Sequence, residues 1–128
     1  MYPDIELLLV GYLGTKTGHR AVTELPAELD SILPVIRVTR VSGGDDLGFS
    51  KLDRPVVDVD VFAATRTGAH DLSDQVRVLL RQDLVTVDTV QPAGVVTEVR
   101  TITAPRWLPD SNVNLRRYNA SYQITAHA

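Results

Sequence analysis

The sequence has no cysteine among its 128 residues. Disulfides, thiolate zinc sites and cysteine nucleophiles are thereby removed together, which is compatible with synthesis in a reducing cytoplasm. Long apolar runs are also missing. Leu7–Val10 falls far short of the roughly 20 residues a membrane helix needs, so no membrane partner is expected. The start, MYPDIELLL, holds acids inside its apolar stretch and no basic segment before it, so it does not read as a secretory signal. Positive charge is in the minority: 13 Lys and Arg against 16 Asp and Glu give a net charge of −3, with no whole-surface basic footprint for nucleic acid. Motifs of catalysis are absent too. His19, His70 and His127 are scattered with no metal-ligand spacing, and there is no Gly-x-Ser-x-Gly elbow. The Gly-rich stretch at 43–48 lacks the Gly-Lys-Ser/Thr ending of a phosphate loop and the alternating acids of a calcium loop. No catalytic, cofactor-binding or metal-ligating residue is nominated.

What is present describes one globular domain over residues 1–128, with 44% hydrophobic and 23% charged residues. In Pro3–Leu13 the residues Ile5, Leu8, Leu9, Tyr12 and Leu13 form one helical stripe, with Gly14 placed to close it. Ala21–Leu25 reads as a short strand. Val35–Ser42 and Pro55–Ala63 are rich in β-branched residues and read as long strands, joined by a 12-residue acidic, Gly-rich arm. Along Pro55–Ala63, Val57, Val59, Val61 and Ala63 alternate with Val56, Asp58, Asp60 and Phe62, the pattern of a half-buried sheet. A second helix is expected over Thr67–Gln82, then a partly extended linker over Asp83–Pro92. Val95–Thr103 and Arg116–Ala126 are the last two strands, with a Pro-rich loop carrying Trp107 between them.

This order predicts an α+β fold: a mainly antiparallel, mixed sheet of four long strands plus a short one, with two helices packed on one face. Two helices cannot cover both faces, so the side with Asp58, Asp60, Arg117, Asn119, Ser121 and Gln123 is expected to meet water or another subunit. Asp58 and Asp60 share a strand face at a spacing that suits a divalent metal, but no third ligand is placed beside them. The alternative is neutralisation by Arg37 on the neighbouring strand. Trp107 reads either as a lid over the core edge or, with Arg106, Arg116 and Arg117 nearby, as an interface anchor.

Taken in succession, PVIRVTRVSGGDD, DRPVVDVDVFAATR and WLPDSNVNLRRYNASYQITA resemble the tail terminator (tail completion) proteins of long-tailed actinobacterial phages. The resemblance covers nearly the whole chain and implies a virion structural protein, not an enzyme. Such proteins form six-fold rings that cap the tail tube, stop its polymerisation and offer a joint to the head-side connector. The implied partners are further copies of the chain in a homohexameric ring, the major tail tube protein and the head–tail connector. DNA would cross the ring lumen without sequence-specific binding; the implied location is the head-proximal end of the virion tail. No cofactor is implied. Arg37, Arg40, Asp45, Asp46, Phe49, Asp58, Asp60, Arg106, Trp107, Arg116 and Arg117 are the residues expected at protein interfaces, with arginines pairing acids of a neighbour. The alternatives are another ring-forming neck completion protein and, remotely, a small metal-dependent hydrolase using Asp58 and Asp60.

Overall fold

The strict alternation along Pro55–Ala63 makes this segment the centre of the molecule. In the computed structural model, which describes residues 3–43, 52–86, 94–112 and 114–127, it is the middle strand of a five-stranded mixed sheet. The strands are β1 (Arg20–Val22), β2 (Val35–Gly43), β3 (Pro55–Ala63), β4 (Val95–Trp107) and β5 (Arg116–His127), in the spatial order β1-β2-β3-β5-β4. Only β1 pairs in parallel, with β2; the other pairings are antiparallel. Register places Val38, Val59 and Ala120 side by side, and likewise Ile36, Val61 and Tyr118. Every second residue of these strands therefore points to one face.

Two helices cover that face, α1 (Ile5–Thr17) over β1 and β2, and α2 (Arg66–Val78) over β3, β5 and β4. The predicted stripe of α1 is buried in full, and with Leu72, Val76 and Leu80 it packs on Ile36, Val57, Val59, Tyr122 and Ile124. The Asp4 carboxylate caps the Leu7 amide at the start of α1. The helix runs past Gly14 and stops at Gly18, whose φ of 71° supplies the left-handed cap. At α2, Thr65 caps the Gly68 amide, and the helical path continues beyond Val78 as a π-helical turn (Leu79–Asp83) and a 3-10 turn (Leu84–Thr86). Leu84–Thr86 is thus helical where an extended linker was expected; the rest of that linker lies outside the described residues.

The far face is less bare than the helix count implied. The segment between β1 and β2 folds back over one end of it. Leu29, Val35, Phe62 and Leu115 form a second buried cluster there, with Val22, Leu25, Ile32 and Leu33 against it. A further difference is that β4 extends to Trp107, through Pro105, rather than ending at Thr103. Proline is tolerated because β4 is an edge strand and its register breaks between Thr103 and Arg106. No described helix is long and apolar enough to cross a membrane.

Candidate functional site

Beyond the second cluster, the far face is a polar surface built row by row from the strand register. One row aligns Arg37, Asp60, Asn119 and Arg106 across β2, β3, β5 and β4. Arg37 donates to Asp60 Oδ2 from Nη2 at 2.7 Å and from Nε at 3.2 Å, while Asn119 Nδ2 donates to Oδ1 at 2.9 Å. Asp60 is only 4% exposed, so these bonds replace the water its carboxylate has lost. The next row aligns Thr39, Asp58, Ser121 and Thr103, and the Ser121 hydroxyl donates to Asp58 at 2.6 Å. Where this surface meets the second cluster, the Phe62 ring carries two guanidinium groups, Arg37 at 5.3 Å and Arg117 at 5.9 Å. Arg117 also donates to the carbonyls of Leu108 and Pro109, fixing the start of the β4–β5 loop.

Both oxygens of Asp60 are occupied, and one of Asp58. Among the described residues no group of three or more His, Asp or Glu is arranged to hold a metal. A depression of about 400 Å³ beside the start of α2 is lined largely by Leu33, Pro34, Ala63, Gly68 and Leu72, with His19 and Asp71 its titratable groups.

The other nominated residues lie elsewhere. Arg40 is on the helix-covered side, where it grips Asp53 in a two-pronged pair at 2.8 and 3.1 Å. Asp53 is held there because its backbone bonds both ways to Ala126, and the Arg40 amide donates to Glu6 of α1. The acid that answers Arg40 therefore comes from the same chain. Trp107 also faces the helices: its ring meets Tyr118 edge-on at 5.9 Å, and Arg66 lies over it at 4.6 Å. That is the lid over the core edge, at the start of α2. Arg106 is exposed at the end of the first polar row, and Arg116 is half-buried opposite Ala63. Asp45, Asp46 and Phe49 lie outside the described residues. Asn119, Ser121, Asp53 and Phe62 are the contributors that were not nominated; the alternation along β3 and β5 marks three of them, and nothing local marks Asp53.

Two hydroxyl sites on the helix side carry perturbed groups. Tyr12 of α1 donates to Asp83 at 2.5 Å and lies 3.2 Å from the Leu79 carbonyl, tying α1 to the π-helical turn. Burial, and then the Asp83 bond, raise the Tyr12 hydroxyl well above its usual range, while that same bond holds the Asp83 carboxyl below its own. The Tyr122 hydroxyl is fully buried with no partner, and burial pushes it up to about 12.

Comparison with known proteins completes the description. A family model described as "Phage tail termination protein" matches residues 1–128. A solved structure described as "Virion of native gene transfer agent (GTA) particle" contains a similar chain. It is 12% identical, with 96% of this chain and 96% of that chain covered and a TM-score of 0.58, a likeness of fold. No curated protein matches.

Proposed function

The chain belongs to the phage tail termination protein family, and from that premise we propose that it closes the end of the phage tail tube. Copies of the chain form a ring there, end the addition of tube subunits and leave a joint for the head-side connector. The family match over the whole chain carries this reading. The geometry supports it: the polar rows on the far face are hydrogen-bonded across the strands and carry charges of both signs, which suits docking on another protein surface. In this reading Arg37, Asp58, Asp60 and Arg117 contribute to the tube-facing surface. Termination is then steric, because one face matches the tube end and the other offers no tube-like surface. A net charge of −3 is compatible with DNA passing through the ring without adhering to it.

The test is polymerisation of purified tube protein with this chain titrated in, followed by electron microscopy. Expected are shorter tubes, each with added density at one end. Unchanged tube lengths with bare ends would overturn the role, and binding to a portal-proximal ring instead would move the chain to a neck station.

A further inference from the structure

The two edges of the sheet differ in charge. At the β1 edge, α1 and the end of β1 enclose a groove of about 520 Å³ with Leu7, Val10 and Val22 as its apolar lining and Asp4, Glu6 and Glu24 as its acids. Leu7 is 48% exposed. None of the three acids has an ion-pair partner among the described residues; Asp4 accepts the Leu7 amide and Glu6 the Arg40 amide. Arg20, the basic residue of β1, is at the first position of the strand and does not line the groove.

The β4 edge lies four strand spacings away, roughly 19 Å across the sheet. Four arginines are tied to it: Arg100 and Arg106 within the strand, Arg81 through its bond to the Val99 carbonyl, and Arg66 over Trp107. Glu98 is the one acid of the strand. Arg100 and Arg106 are exposed and make no ion pair among the described residues. Between them Ile102 sits at a break in register and is 55% exposed, more than any other large apolar side chain described. The edge is poorly suited to strand addition. Its register breaks in three places, Pro105 lacks an amide proton, and Arg81 occupies the Val99 carbonyl. What it offers is side chains.

We infer that the β4 edge of one copy seats in the β1 groove of a second copy. Ile102 enters the lining of Leu7, Val10 and Val22, and Arg100 and Arg106 meet Glu6 and Glu24. Each edge supplies the charge and apolar surface the other lacks, which fixes register and disfavours edge-to-like-edge contact. Because the two patches are different and lie on opposite edges, the contact is head-to-tail, the kind that closes rings. It rests on the tube-capping role proposed above and specifies the lateral contact within that ring.

Two double variants at exposed positions test it: T23R/E24R, which makes the β1 side of the groove basic and cancels the charge of Asp4 and Glu6, and R100E/R106E, which makes the β4 edge acidic. Self-association is followed by sedimentation velocity, alone and on tail tubes, with melting curves as a check on folding. Each variant alone is expected to lose self-association. An equimolar mixture is expected to recover it, since each altered edge meets its opposite around an alternating ring. Added salt, which needs no variant, is expected to weaken wild-type assembly several-fold. Assembly of both variants at wild-type strength, failure of the folded mixture to recover, or insensitivity to salt would overturn the edge pairing and leave the capping role intact. A wild-type chain that never self-associates, free or on tubes, would overturn both.

Discussion

At the scale of single residues, the molecule treats its buried polar atoms in two ways. Asp60 is buried and fully answered, by Arg37 on one neighbouring strand and Asn119 on the other. Tyr122 is buried and unanswered. Its hydroxyl and that of Thr101, its cross-strand partner, are both without hydrogen bonds beneath α2. An orphaned hydroxyl forfeits the water it bonded when unfolded and gains nothing in return, a cost of about 1–3 kcal/mol. Tyr122→Phe keeps the ring, which supplies the packing, and removes that cost. The variant is expected to be more stable by about 1 kcal/mol, a rise of about 4 °C in Tm for a chain of this size, measured by calorimetry at neutral pH. The pH dependence has a definite sign. The folded Tyr122 hydroxyl is raised to about 12 from an ordinary 10, so the unfolded chain ionises first. Wild-type stability from this group is intact below pH about 10 and drains away between there and about 12, whereas the phenylalanine variant has no such loss. The gap between the two melting curves therefore widens in alkali.

At the scale of elements, the Tyr12 hydroxyl joins α1 to the π-helical turn, donating to Asp83 and lying 3.2 Å from the Leu79 carbonyl, with Lys16 3.5 Å from the same carboxylate. The Tyr12 bond lowers the Asp83 carboxyl, so the stability it confers is present above the ordinary carboxylate range near about 4 and is lost as pH falls through the lower folded value. Asp83→Asn is expected to lower Tm at pH 7 and to converge with the wild type in acid, as thermal melts across pH would read. This contact also marks the limit of what periodicity can tell. The strands β2, β3 and β5 and the buried stripe of α1 were legible, because alternation and 3.6-residue spacing are local signals. The pairing of Arg37 with Asp60 was legible too, as an opposite-charge pair on adjacent strands. The end of α1 was not, because Gly14 and Gly18 both offer a stop and only Gly18 adopts positive φ. Trp107 was placed in a loop on the strength of two prolines, while β5 pairs with that stretch up to Tyr118 and holds it as strand. Arg40 was expected to pair with an acid of a neighbouring copy; its register opposite Val57 of β3 puts it with the helices, where Asp53 of the same chain is delivered by pairing with Ala126, some 70 residues on.

At the scale of the whole molecule, the proposed ring subunit on a tube would need two independent surfaces, one toward its copies and one along the tube axis, and the sheet has two kinds of surface to offer. Sheet edges differ in charge and carry exposed apolar side chains, whereas the far face is polar, with Asp60 answered within it by Arg37 and Asn119 and Asp58 by Ser121. The segment over Val35, Phe62 and Leu115 closes one end of that face, so the part left open is the stretch of polar rows from Arg37 to Gln123. Thr39 is half-buried within it, on β2 opposite Asp58, away from both edges of the sheet. A bulky charge there, Thr39→Arg, would alter the shape and charge of the face without touching the β1 groove or β4. Such a chain is expected to fold and self-associate like the wild type yet lose its hold on tail tubes by tenfold or more, read by co-sedimentation with tubes beside sedimentation of the free protein. The charge-reversed edge variants should show the converse pattern, weak self-association with single copies still touching the tube end. If the face variant bound tubes normally while losing its own assembly, the two surfaces would have to be exchanged, with the polar rows packing copy against copy and the edges meeting the tube.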